Sequence, residues 1–457
     1  MPPQPLPPPG QDASLLRTDL RYLGANSCAA SNCHGGPANG RITGSESTIW
    51  SLVDPHANAF AVLYNEQSQR IARNLGLEAA HKAQVCLNCH ALDAGTAHLD
   101  DENQHILADG VSCEMCHGPA SQWLEPHRRA EWLDPSVWTT ERKQALGFRD
   151  TKDVRARAQA CAACHVGAPG RDVNHDLIAA GHPRLYFEFS AYHALLPAHW
   201  NRRDDLERHG PGLEARLWAV GQAVSAETAA RLLARRASDA RAPWPELAEY
   251  SCFACHHELE TPSWRQAPGR EFAGGRAGGL SPAQWHFAAV PSLALHPAVA
   301  AGADLDERRH ALSSELARFP AVRREPIAAQ ANALADRLAD WGVRLNNADY
   351  SAPAVQRLTK QLAASRSVAP GDWDAATQLY LAVVAVNQAR VQSGDAPASP
   401  PRADDAAVYA ELRQIRDLLA FPSGETSRAD SPRGFRPEVA GELSGHLERI
   451  QQLIDAP

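Results

Sequence analysis

The 457-residue chain has no apolar run long enough to cross a membrane. Its best, Leu379 to Val386, covers eight residues where about eighteen are needed. It has no excess of positive charge either: 53 acidic against 45 basic residues give a net charge of −8. That balance argues against a nucleic-acid partner and suits a partner with a basic face. The N-terminus, MPPQPLPPPG, lacks the basic and apolar regions of an export signal, and residues 1–20 read as an extended, proline-stiffened tail. Aromatic residues make up only 6% of a chain that is otherwise 44% apolar and 21% charged, ordinary values for a soluble globular protein of two or three domains. Something other than aromatic side chains must then fill part of the interior.

The ten cysteines say what that is. Eight fall into four copies of one pattern, CLNCH at 86–90, CEMCH at 113–117, CAACH at 161–165 and CFACH at 252–256. CxxCH is the c-type haem attachment pattern: Cys86, Cys89, Cys113, Cys116, Cys161, Cys164, Cys252 and Cys255 form thioethers to the vinyl groups, and His90, His117, His165 and His256 become proximal iron ligands. A redox dithiol or a zinc ribbon needs no histidine after every second cysteine. The last two cysteines lie in CAASNCH, Cys28 to His34. A disulfide is one reading. The trailing His34 favours the other, a fifth haem on Cys28 and Cys33 with a longer loop between the thiols. Five c-type haems then account for every cysteine and supply the missing apolar bulk. Haem attachment takes place outside the cytoplasm, so a periplasmic or extracellular location is expected, with the export signal not present in this chain.

Methionine is nearly absent as an axial ligand. Met1 is terminal and Met115 is enclosed in a motif, so bis-histidine, low-potential irons or open ones are expected. Twenty histidines less five proximal ones leave fifteen candidates. In NHDLIAAGHPRLYFEF, His175 and His182 are seven apart and would share a helix face as far as Pro183. They are read as distal ligands of the irons held by His165 and His256, with His193, His286 and His296 in reserve. His257, adjacent to His256, cannot reach the opposite face of the same ring.

Trp50 with DPHANAF at 54–60, and GVSCEMCHGPA at 110–120 followed by Trp123 and His127, resemble the tetrahaem cytochrome c-554 family, which relays electrons from hydroxylamine oxidation. The likeness covers roughly residues 20–170. It implies that His56 crosses to the iron held by His117 and His127 to the iron held by His34. It also implies an open iron at His90, although His81, His98 and His105 are close in sequence. The CAASNCH spacing, the fifth haem and the long extension depart from the family.

The fold expected is mainly α with much irregular structure: a pentahaem cytochrome c domain over 21–300 and a haem-free helical bundle over 301–457. Residues 211–240 read as a helix bracing the fourth and fifth haems. Ile327, Ala331, Leu334, Leu338, Trp341 and Leu345 form an amphipathic stripe, as do Leu443, Leu447, Ile450 and Ile454. Further helices are expected near 305–318, 353–365, 372–393 and 403–420, with a linker at 395–402. The leading functional expectation is an electron carrier between redox partner proteins. One alternative is an oxidoreductase acting on a small nitrogen or sulfur compound at a five-coordinate haem. No motif carries the lysine that marks pentahaem nitrite reductases. The other is a structural subunit of a larger, membrane-associated or oligomeric cytochrome assembly.

Overall fold

The computed structural model describes residues 20–37, 42–92, 106–256, 280–294, 304–365, 372–393, 403–420 and 437–455. The proline-rich tail apart from Leu20, the linker at 395–402, and His98, His105, His257 and His296 lie outside the described residues. Those described form a mainly helical protein in which isolated bridges, Ala168 with Arg171 and Tyr250 with Pro282, are the only β pairing.

The first part is built of short helices: α1 Glu46–Val53, α2 Glu66–Asn74, α3 Gln84–His90, α4 Cys113–His117, α5 Thr140–Ala145, α6 Val154–His165, α7 His175–Ala179, α8 Phe189–Leu195 and α9 Arg202–His209. Side-chain caps start several of them, such as Asp153, which accepts the Ala156 N–H at 2.8 Å to begin α6. Local apolar clusters are small, such as Leu63, Ala72, Ala80, Leu87 and Ala91, or Ala120, Trp123 and Trp132.

The second part is built of longer ones: α10 Leu213–Ser238, α11 Val290–Ala294, α12 Asp304–Leu316, α13 Arg324–Asn346, α14 Ala352–Ala363, α15 Trp373–Ser393, α16 Ala403–Leu419 and α17 Pro437–Asp455. The expected helices are all present within one to three residues. The stripe from Ile327 to Leu345 is at most 1% exposed, and Leu443, Leu447 and Ile450 are equally buried.

The helix α10 is different. Twenty of its 26 residues are buried, so it is enclosed on all sides instead of presenting one apolar stripe. It packs along α13 and against α6, α8 and α15. Gln222 on α10 donates to Gln378 on α15 at 3.0 Å, and Glu227 accepts from Arg155 of α6 at 3.3 Å. The largest core, from Val154 to Ile454, is continuous across residue 301.

One local expectation fails. The helix starting at His175 ends at Ala179, because Gly181 at φ +117° turns the chain: the Gly181 N–H bonds Ile178 O at 2.9 Å and the His182 N–H bonds Leu177 O at 3.1 Å. These two bonds make a Schellman stop. His175 and His182 therefore do not share a helix face.

Candidate haem-binding sites

Three of the four CxxCH motifs end a helix on their histidine: α3 at His90, α4 at His117 and α6 at His165. On a helix, residues i, i+3 and i+4 lie on one face, so the two thiols and the imidazole are presented together. CFACH begins with a 3-10 turn, Cys252–Ala254, and CAASNCH lies in turns after a 3-10 segment, Ala25–Ser27. All ten cysteines are unpaired. Among the described residues no three His, Cys, Asp or Glu side chains converge on a bare-ion site.

Hydrogen bonds tie the motifs to one another. The Glu114 carboxylate of CEMCH accepts N–H groups from Leu23 at 2.9 Å, Gly24 at 2.8 Å and Ala120 at 2.7 Å, fixing the third motif to the stretch of chain before the first. Burial pushes this carboxyl up to about 7 against the pull of those donors. The Cys28 thiol hydrogen-bonds that of Cys113, and Cys89 that of Cys164, so the first site adjoins the third and the second adjoins the fourth. Asn88 of CLNCH donates to Gly170 O at 2.6 Å, and Arg171 donates to Asn88 O at 2.7 Å. Arg171 also points at Met115 Sδ, 3.6 Å away. Gly118, directly after His117, has φ +84°, and a Cβ there would sit 2.0 Å from Gly147 O; only glycine lets Arg149 N–H bond His117 O at 2.9 Å.

Three motif histidines each have a second histidine ring about 6 Å away. His34 and His127 have ring centres 6.4 Å apart with planes at 16°; His90 and His182 are 6.5 Å apart; His165 and His56 are 6.1 Å apart. An iron with an imidazole nitrogen at about 2 Å on each side, and each ring centre ~1.1 Å behind its nitrogen, needs centres ~6.3 Å apart. The spacing fits. It is too wide for rings stacked in contact, as Tyr64 and His81 are at 4.2 Å.

In five of these six rings the Nδ1 nitrogen is occupied in the manner of metal-bound histidines. Nδ1 is 3.0 Å from Glu46 Oε2 in His34, 3.0 Å from Asp54 Oδ1 in His56, 2.9 Å from Ala59 O in His90 and 2.8 Å from Pro183 O in His182; in His127 it meets Leu124 O. Each acceptor keeps the proton on Nδ1 and leaves the Nε2 lone pair free. The Asp54 contact raises the His56 pKa against burial. Burial lowers His117 and His165 to about 4 and His182 below its usual value, holding them in the neutral, ligating form. Trp123 braces His127 edge-on at 5.4 Å, and Phe187 stacks on His165 at 5.3 Å.

The structure thus brings together His34 with His127, and sets His56 against His165 where the family likeness had implied His117. His182 faces His90, where an open iron was implied, instead of His165 or His256. His175 enters none of these ring pairs; its backbone N–H donates to Glu246 at 2.8 Å. Sequence reasoning passed over His199, whose charge, with that of Arg149, acts on the buried His117. Its one sequence signal is weak, a His-Trp pair at 199–200 beyond the short helix α8. His286, kept only in reserve, is buried at Nδ1 without a hydrogen-bond partner, and burial with the Arg184 and Arg236 charges lowers it to about 3.

Large exposed apolar side chains lie almost entirely in this part of the chain. Among the described residues, Leu52, Val53, Tyr64, Val85, Leu133 and Leu195 are among twelve before residue 250, against Val343 alone after it. Apolar surface around attachment motifs is what a porphyrin covers.

Residues 27–118 match the family model described as cytochrome c554 and c-prime. Over those residues the chain resembles that family of c-type cytochromes. No curated protein and no solved structure matches it. The family carries covalently bound, iron-containing c-type haem and acts in electron transfer, and its members are typically extracytoplasmic. The chain has no helix, among its described residues, that is long and apolar enough to cross a membrane.

Proposed function

We propose that this cytochrome is an extracytoplasmic electron carrier with five covalently bound haems, bis-histidine ligated and low in potential, which passes electrons between redox partner proteins. The observation that carries the reading is the set of three histidine pairs with ring centres 6.1 to 6.5 Å apart. Bound haem supplies reversible one-electron exchange at iron.

The chain's own part is to hold and tune. Cys28 and Cys33, Cys86 and Cys89, Cys113 and Cys116, Cys161 and Cys164, and Cys252 and Cys255 anchor the five groups. His34, His90, His117, His165 and His256 ligate from one side. From the other, His127 serves the first site, His182 the second and His56 the fourth. For the third site His199, whose charge acts on the buried His117, is the candidate. Glu46 and Asp54, as anionic acceptors of the Nδ1–H of His34 and His56, make those imidazoles stronger donors and favour the oxidised state. Contacts between thiols of sites one and three, and two and four, set neighbouring haems close enough for rapid exchange. Residues 301–457 are the haem-free helical unit, whose α13 clasps α10.

A stepwise potentiometric titration tests this reading. It predicts about five electrons per chain, all taken up at potentials below those of His/Met cytochromes. Uptake of about four, or a component in the His/Met range, overturns it. The oxidoreductase alternative requires an iron open to substrate, and His182 opposite His90 speaks against the site proposed for it.

A further inference from the structure

The fifth site is the one the family likeness does not reach, and no ring faces its proximal His256 in the pairs above. The chain nevertheless ties a segment that carries a histidine, His286, to the residues leading into this motif. Residues 281–283 run alongside 249–251: the Ser251 N–H bonds Ser281 O at 2.9 Å, the Ala283 N–H bonds Glu249 O at 2.8 Å, and Tyr250 bridges Pro282. The segment that carries His286 is therefore pinned against the residues that lead into Cys252. Arg184 joins the two, donating to Cys252 Sγ at 2.8 Å and to Tyr250 O at 3.3 Å while lying within electrostatic reach of His286. His286 Nδ1 is buried and has no hydrogen-bond partner. A buried polar atom without a partner is costly unless the ring has another use.

The haem-free helices hold this segment in place. Asp374, in the first turn of α15, accepts the backbone N–H groups of Gln284 and Trp285, the two residues before His286. Trp373 stacks on Trp285 with ring centres 5.9 Å apart and planes at 22°, and Trp285 Nε1 donates to Phe187 O at 2.9 Å. Three anchors thus fix residues 281–285, from the 249–251 segment, from α15 and from the chain before α8.

We infer that His286 is the distal ligand of the fifth haem iron, opposite His256, and that Asp374 and Trp373 of α15 are positioning residues that hold it there. The inference rests on the pentahaem reading above. On it, the C-terminal helices complete the fifth site instead of merely covering the others. His175 is then free of iron.

The test uses the full-length, haem-loaded protein and electron paramagnetic resonance, with nitric oxide as the probe. His286→Ala should convert one haem per chain from low to high spin and create one nitric oxide binding site, with the haem count unchanged. His175→Ala should change neither. Should His286→Ala fail to accumulate, His286→Met keeps the volume and should give a thioether-to-iron charge-transfer band and raise one potential. Asp374→Ala should produce a partial high-spin fraction in the same haem, a change that a purely packing role for α15 would not give. A haem-to-protein ratio near five with His286→Ala or His286→Met spectrally silent, or a high-spin haem in His175→Ala, overturns the assignment alone. A ratio near four with Cys252 and Cys255 unmodified overturns the pentahaem reading beneath it.

Discussion

Residues 20–256 and residues 304–455 solve the same problem in opposite ways. The later region has long helices whose apolar stripes are buried to within a few per cent, as from Ile327 to Leu345 on α13. Before α10, the earlier region has helices of five to twelve residues, small separate clusters and most of the exposed large apolar side chains. Its order comes from polar clasps such as Glu114 on Leu23 and Gly24, and from motif histidines set opposite partners. Side-chain periodicity thus folds one region; on the function proposed above, bound haem folds the other. α10 belongs to both, buried against α6 and α8 on one side and α13 and α15 on the other.

The largest effect that separates the two should follow from withholding haem. Chain produced without haem attachment should be cut readily by protease within about residues 20–200, while fragments spanning α10 to α17 survive; mass spectrometry of the digest reads this out. Uniform resistance would mean that the first region also folds on side chains alone.

Leu338→Ala, fully buried on α13, should cost about 2–5 kcal/mol in chemical denaturation and leave the haem spectra unchanged. His182→Ala should do the reverse, with little loss of stability but one high-spin haem at the His90 site. A variant that moved both readouts would blur the distinction.

The smallest effect concerns Asp372, whose carboxyl accepts the Ala375 N–H at 3.0 Å at the start of α15. Burial and the neighbouring Asp374 push it up to about 7. The folded chain then holds that proton more tightly than the unfolded one, so this group favours folding below about pH 4 and loses that contribution as pH rises through 7. Asp372→Asn keeps the cap and should raise the melting temperature above pH 7 but not below pH 4, which thermal melts across pH would show.

Much of the helical region was legible in sequence because a period of 3.6 survives in Ile327, Ala331, Leu334 and Leu338 whatever surrounds them. The attachment motifs were legible because thioether chemistry fixes their spacing. Of the histidine pairs only His34 with His127 was, through the family likeness. His56, His182, His199 and His286 reach their positions through turns and long-range contacts, and Gly181 shows how: one positive φ ends α7 and sends His182 toward His90, a direction that helical spacing from His175 could not give.

The proposed carrier stands or falls on histidines facing each other across every iron. Low-temperature electron paramagnetic resonance of the oxidised, haem-loaded protein decides this, with haem stoichiometry and a nitric oxide titration on the same sample. A ratio near five, low-spin signals throughout and no binding of the gas are expected. A high-spin signal consumed by nitric oxide, or a ratio near four, would refute it.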